Sequence, residues 1–279
     1  MKLRCKDRVL PLDRTLIMGV LNVTPDSFSD GGIYFDQQAA IAHAYEMVEQ
    51  GADIIDIGGE STRPGAESVP LEEELRRVLP VLEGLRELDV PLSIDTRKAA
   101  VAQEALAMGV SILNDTLGEA TQREADRLAA ESGAAIVIMH SRGTPATMRS
   151  LTDYGDVVAD VCTFLKQRAA ELESKGVGPE SVVLDPGIGF AKSPDQNLQI
   201  LRRLDELVAL GRPVLVGTSR KSFIGHILDL PENERLEGTL ASVCWAVAKG
   251  AHIVRVHDVR ETHRAVALTD AIASAGGHG

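Results

Sequence analysis

Aromatic side chains are scarce in this chain: one Trp, three Tyr and five Phe make up 3% of its 279 residues. A core with so few rings must be built from Val, Leu, Ile and Ala, a composition that suits parallel strands buried on both faces. Cysteine is equally sparse. Cys5, Cys162 and Cys244 are odd in number and share no CxxC spacing, so they read as reduced, mostly buried thiols of a cytosolic protein rather than a disulfide framework or a zinc site. Positive charge is in deficit, with 29 Lys and Arg against 41 Asp and Glu and a net charge of -12. That balance argues against nucleic acid or an acidic membrane as partner; an anionic substrate would have to be met by cations gathered locally. No apolar run approaches the length of a membrane span, and the opening MKLRCKDRVL lacks the apolar core of a signal peptide. The expected location is the cytoplasm.

Two nucleotide signatures are missing as well. No GxGxxG follows the first apolar run, which disfavours a dinucleotide-binding open sheet, and no GxxxxGK[ST] offers a triphosphate cradle. What the chain does have is a strict alternation. The apolar runs TLIMGVLNV, DIIDIGG, PLSIDT, SILND, AAIVIMH, SVVLDPG, PVLVGTS and AHIVRVHD are each followed by a helical pattern. In KAAVAQEALAMG, Val101, Ala105 and Met108 share a face; TQREADRLAA opens with Thr121 and Glu124 at capping-box spacing; LEGTLASVCWAVAKG puts Leu240, Val243, Cys244 and Val247 in one stripe. Eight strand-then-helix units imply right-handed crossovers and a parallel sheet, and eight of them close into a (β/α)8 TIM barrel, class α/β. Leu3–Arg4 and residues 9–12 precede it as a short hairpin. With no linker or compositional break, residues 1–279 read as one domain.

Barrel chemistry gathers at the carboxyl ends of the strands, and nearly every run here ends in a polar residue. In order these are Asn22; Asp56, with Glu60 to Arg63 beyond it; Asp95; Asn114 and Asp115; His140; Asp185; Ser219, Arg220 and Lys221; and Arg255, His257 and Asp258. Singly, an Asp after a buried strand is often the N-cap of the next helix. Eight in register read as a site. Lys221, Arg255 and His257 come from the last two units, where barrels often hold phosphate and where arginine can grip it bidentately. Asp95, Asn114 and Asp185 would repel phosphate; carboxylates accept and an amide both donates and accepts, which suits the donor-rich edge of a planar ring. The implied ligand is bipolar, a ring at one end and a phosphate at the other.

Other chemistries remain open on these residues. Asp and His at strand ends could hold a hydrolytic metal, although an HxH pair is expected on the first strand and Met18-Gly-Val20 stands there instead. Lys221 could form a Schiff base, its pKa lowered by the neighbouring arginine.

The ordered motifs NVTPDSFSDGG, DIGGESTRPG, SIDT, LND, LDPGIGF, GTSRKSF and RVHDV, spread over residues 15–259, strongly resemble the bacterial dihydropteroate synthases. The resemblance implies a barrel, usually dimeric. It also implies condensation of p-aminobenzoate with the pyrophosphate ester of hydroxymethyl-dihydropterin, giving dihydropteroate and pyrophosphate in folate synthesis, with sulfonamides as inhibitors. By the same resemblance Asp95, Asn114, Asp185, Lys221 and Arg255 form the pterin pocket, and Asn22, Arg255 and His257 take the pyrophosphate, with Asn22 also near Mg2+. Phe28, Thr62, Arg63, Pro64, Phe190, Ser219 and Lys221 form the aminobenzoate pocket, and Asp30 at most helps with the amine proton. Residues 24–32 then read as a lid hinged by Pro25 and the Gly31-Gly32 pair, and residues 59–65 as a second lid. A corrinoid-type pterin-binding methyltransferase barrel and a silent pterin binder are the alternatives. The amphipathic segments 237–249 and 260–274 are candidates for a dimer surface.

Overall fold

The computed structural model describes residues 1–24, 33–61, 68–115, 122–144 and 146–275. A hairpin of β1 (Lys2–Cys5) and β2 (Arg8–Pro11) turns at Lys6, which takes a positive φ of 53°. The eight apolar runs then form β3 (Leu16–Asn22), β4 (Ile54–Gly58), β5 (Leu92–Thr96), β6 (Ile112–Asp115), β7 (Ala135–Met139), β8 (Val182–Asp185), β9 (Leu215–Val216) and β10 (Ile253–Val256). All pair in parallel, in the order β8-β7-β6-β5-β4-β3-β10-β9. The ring is drawn shut by a single parallel bridge between Leu184 and Val214, with Leu184 N–H donating to Pro213 at 2.8 Å. Pro213 has no N–H to return, which helps keep this last ladder short.

Around the sheet run α1 (Ile33–Glu49), α2 (Leu71–Gly84), α3 (Ala99–Ala107), α4 (Gln122–Ser132), α5 (Val157–Ser174), α6 (Pro194–Arg202), α7 (Leu204–Val208), α8 (Ser222–Leu228), α9 (Leu236–Ala248) and α10 (Val259–Ser274). Their starts follow local chemistry. Asp156 caps α5 by accepting from Val158 and Ala159 N–H; Ser193 and Gln196 close a capping box on α6, with Pro194 in its first turn. Thr121, expected to cap α4, lies outside the described residues. In α9 the buried face is Thr239, Val243, Ala246 and Val247, while Leu240 and Cys244 are half-buried. The stripe is rotated from its expected position, with α10, α6 and α8 packed against the helix.

Strand parity decides what faces the barrel axis, since successive side chains point to opposite faces. Ile17, Leu21, Ile55, Ile57, Ile94, Leu113, Ile136, Ile138, Leu184, Val216 and Val254 point outward into the core shared with the helices. Met18, Ile54, Ile112, Val137, Val183, Leu215 and Ile253 point inward and pack with Leu3, Cys5 and Leu12, so the hairpin plugs the amino-terminal mouth. Two residues further along the strands, the same parity turns Asp56, Asp95, Asn114, Asp185 and Arg255 inward. An apolar plug lies below and a polar ring above.

Candidate functional site

The polar ring is a bonded network. Asp56, fully buried, accepts from Ser93 Oγ at 2.6 Å, Asn114 Nδ2 at 2.9 Å and Arg255 Nε at 2.6 Å. Arg255 reaches on through Nη2 to Asp95 Oδ2 at 2.8 Å. Register explains the meeting: β4, β5 and β6 set Asp56 beside Ser93 and Asp95 beside Asn114, while β3 alone separates β10 from β4, so Arg255 reaches Asp56 over a single strand. Burial works against the guanidinium's charge, but the carboxylates of Asp56 and Asp95 outweigh it and hold Arg255 above the ordinary arginine value. Cations and carboxylates therefore interleave instead of standing at opposite ends, as the bipolar reading expected. Charges this deep in a barrel must be paired before any ligand arrives.

Asp185, at the end of β8, is 8% exposed. Its Oδ1 accepts from Gly187 N–H at 2.7 Å. Burial nevertheless pushes its carboxyl above the usual range, against the pull of that bond and of Lys221, Lys192 and Arg255. Lys221 follows β9, the strand that meets β8 where the ring closes. Its ammonium donates to the Ile188 carbonyl at 2.7 Å and stands 4.2 Å over the Phe190 ring, a cation–π contact. Burial first, with Arg255 adding to it, brings Lys221 down to about 8 despite Asp185 and Asp95. The neighbouring Arg220 plays no part in that lowering. At a φ of 57°, it turns its guanidinium away to Asp258, at 3.1 and 2.5 Å, and so ties the turn after β9 to the turn after β10.

Just beyond β9 and β10, Ser219 Oγ meets His257 Nδ1 at 2.9 Å and accepts from His257 N–H at 3.2 Å. Asn22 ends β3 beside Gly58, and both parities aim into the mouth. A side chain at Gly58 would stand 3.7 Å from Asp95 Cβ and 3.9 Å from Asn22 Oδ1, and one at Gly217 would stand 3.8 Å from Arg255 Cβ. Glycine at these two inward positions leaves space in the floor of the site beside Asn22, Asp95 and Arg255.

The structure thus brings Asn22, Asp95, Asn114, Asp185, Phe190, Ser219, Lys221, Arg255 and His257 to one mouth of the barrel. Phe28, Asp30, Thr62, Arg63 and Pro64 lie outside the described residues, and so do residues 25–32 and 62–67, on which both lid expectations rest. Sequence reasoning underrated two groups. Asp56 was visible only as one strand end among eight, yet it organises the ring; its inward parity two residues before Gly58 was the available signal. Lys192 gave no signal at all. It is 8% exposed and donates to the carbonyls of Phe190 at 2.9 Å and His140 at 3.2 Å, beside His140 Nδ1 at 3.0 Å. A third cluster braces the end of β4: Lys98 bonds Glu60 and, at 2.6 Å, Glu74, which also accepts from Thr96 Oγ1 at 2.6 Å. Among the described residues no group of three or more His, Cys, Asp or Glu could hold a metal ion, and no helix is long and apolar enough to cross a membrane.

The chain is similar over most of its length to proteins of one kind. Residues 18–257 match the pterin binding enzyme family. The dihydropteroate synthase of Synechocystis is 52% identical over 261 residues, which are 93% of this chain and 90% of that protein. Among solved structures, the Yersinia pestis dihydropteroate synthase with a sulfonamide drug complex superposes with a TM-score of 0.91 at 43% identity, covering 99% of this chain and all of that one. The Thermus thermophilus dihydropteroate synthase, in complex with 4-aminobenzoate, reaches 0.87 at 47% identity over 98% of this chain and all of its own; its 6HMPPP complex reaches 0.84 at 45% identity, with the same coverage. With the motifs, the barrel and its polar mouth in agreement with these matches, the chain belongs to the pterin-binding enzyme family, among its dihydropteroate synthases, which are transferases.

Proposed function

We propose that this chain condenses 6-hydroxymethyl-7,8-dihydropterin pyrophosphate with p-aminobenzoate, giving 7,8-dihydropteroate and pyrophosphate. The observation that carries the reading is the convergence of Asp95, Asn114, Asp185, Lys221 and Arg255, from five barrel units, on one mouth. The Thermus complexes with 4-aminobenzoate and with 6HMPPP support the pair of reactants.

In this reading Asp185 accepts from the N–H edge of the pterin, Asn114 and Asp95 complete the rim, and Arg255 lies against the ring. Lys221 donates to an acceptor of the ring and faces the aminobenzoate with Ser219 and Phe190. His257 and Asn22 take the pyrophosphate, joined by Arg255 through Nη1, the nitrogen that neither of its two carboxylate bonds uses. The carbon–oxygen bond to pyrophosphate breaks first, its electron pair leaving with the phosphate. The methylene left behind is a cation conjugated to the ring, and the carboxylates of Asp95 and Asp185 offset its charge. The aniline nitrogen, a weak nucleophile, then forms the carbon–nitrogen bond and gives its proton to water or the departing phosphate; positioning supplies much of the rate.

Mg2+ fits this mouth. Magnesium takes one or two protein oxygens and fills the rest with water and substrate phosphate, and the Asn22 carbonyl edges the space left open at Gly58. When bound there it would neutralise charge on the leaving group. The protein would act in the cytoplasm as a homodimer: Trp245, Leu268 and Ile272, on α9 and α10, are each at least half exposed, and apolar patches of this kind mark protein contacts. Sedimentation giving only a monomer would refute the dimer.

The decisive assay is turnover. Purified protein with magnesium, the pyrophosphorylated pterin and p-aminobenzoate should release pyrophosphate, and a sulfonamide should inhibit it. Tight pterin binding without turnover would replace this reading with that of a silent binder.

A further inference from the structure

We propose that Lys192 is a positioning residue for the pterin pocket: from behind the loop joining β8 to α6, its ammonium ties Phe190 to His140 and sets a buried positive charge opposite Asp185. The inference rests on the reading of Asp185 as the ring-edge acceptor. Nothing about Lys192 is explained by the floor or the rim of the site. A lysine that is 8% exposed has given up its hydration and must be held for a reason.

The loop is contorted. Gly187, Gly189 and Ala191 all take positive φ, at 68°, 83° and 49°, so the chain doubles back on itself between Asp185 and the first turn of α6. Lys192 fills the inside of that bend. Its three acceptors are the Phe190 carbonyl, two residues back, and the carbonyl and ring Nδ1 of His140 at the end of β7. Burial, then Lys192 and Arg142, push the imidazole down to about 3, so the ring is neutral and its Nδ1 can accept. The bend is pinned from the other side too, because His140 N–H donates to the Asp185 carbonyl at 3.0 Å.

Gly187 lies between the two charges. Its N–H bonds the Asp185 carboxylate at 2.7 Å, while a side chain there would stand 3.3 Å from Lys192 Nζ. Three cations face Asp185: Lys221, Lys192 and Arg255. Lys221 also stands over Phe190 and faces Asp95, and Arg255 is committed to Asp56 and Asp95; the acceptors that Lys192 bonds are all uncharged, so Asp185 is the carboxylate its charge faces. Lys192 itself faces Asp185, Lys221 and Arg142, and burial brings it down to about 7. It is therefore charged below about 7, and there its charge opposes the rise that burial imposes on the Asp185 carboxyl. The sign follows: losing that charge raises the pH at which Asp185 protonates and stops accepting from the ring.

The test compares Lys192→Gln, which keeps an N–H donor for the carbonyls but loses the charge, with Lys192→Met, which loses both. Affinity for 6-hydroxymethyl-7,8-dihydropterin is measured by calorimetry across acid to neutral pH, with Asp185→Asn alongside; the ligand's own titration is common to all. Wild type should lose affinity as pH falls, and Asp185→Asn should abolish that limb. Both Lys192 variants should move the limb upward by about one pH unit or more, the effect of one close opposite charge. Lys192→Met should in addition raise KM for p-aminobenzoate severalfold through Phe190, with kcat changing less. Lys192→Gln carries the test where Lys192→Met does not fold. A limb that Asp185→Asn abolishes but Lys192→Gln leaves in place overturns the inference alone. A limb that survives Asp185→Asn overturns the Asp185 reading and the inference together.

Discussion

Removing the carboxylate of Asp56 is the sharpest test of how the mouth is built. Three donors converge on this fully buried group: Ser93 on Oδ1, and Asn114 and Arg255 on Oδ2, all between 2.6 and 2.9 Å. In Asp56→Ala, Arg255 keeps only Asp95, and breaking a buried pair costs about 3–5 kcal/mol. The hydroxyl of Ser93 and the amide of Asn114 each lose an acceptor, worth about 1–3 kcal/mol apiece where water cannot replace it. Water can enter from the mouth and relieve part of this, so the lower end, about 5 kcal/mol in all, is expected. Against a typical stability of about 5–15 kcal/mol, the variant should be folded only marginally. At about 2 °C per kcal/mol for a chain this long, its melting temperature should fall by about 10 °C. Asp56→Asn separates charge from hydrogen bonding. Its carbonyl can still accept from Arg255 and Asn114, and its NH2 can donate to Ser93 Oγ, so the stability loss should be less than half as large. Pterin KM should still rise about tenfold, equivalent to about 1.4 kcal/mol of misplaced Arg255 and Asn114. Urea unfolding followed by circular dichroism, with steady-state kinetics, reads both quantities. An Asp56→Ala protein within about 1 kcal/mol of wild type, a change typical of ordinary point substitutions, would refute the claim that Asp56 organises the ring.

Further expectations concern single residues. With Lys221 held down to about 8, its ammonium is present below that pH and lost above it, so kcat/KM for p-aminobenzoate should decline as pH rises through about 8. Lys221→Arg should remove that alkaline limb, and a flat wild-type profile would count against a charged Lys221 in binding. Phe190→Ala deletes the ring under Lys221, a contact worth about 0.5–2 kcal/mol; KM for p-aminobenzoate should rise about tenfold, and an unchanged KM would remove Phe190 from that pocket. Gly187→Ala would put a methyl 2.0 Å from the His140 carbonyl at a φ of 68°. The strain alone is about 1–3 kcal/mol, so a thermal melt matching wild type would show that the loop is not built as described.

Much of this protein was legible in its chain. Alternating apolar runs and helical patterns called for eight parallel strands, and the polar residues closing each run marked the carboxyl mouth. Both are local properties: buried parallel strands must read as continuous apolar runs, and chain polarity puts every strand's end on the same side. The rank order within the mouth was not local. Asp56 and Asp95 belong to neighbouring strands, yet the partner they share, Arg255, lies 199 and 160 residues further along the chain, and only the pairing of β10 with β3 in the curved sheet brings it to them. The same holds for Lys192, whose burial comes from a bend that sets its ammonium against His140, 52 residues earlier. Pattern fixes which residues face the axis because parity is a property of one strand. Which charges neutralise one another depends on separations of a few ångströms between strands, and those distances do not exist until the barrel closes.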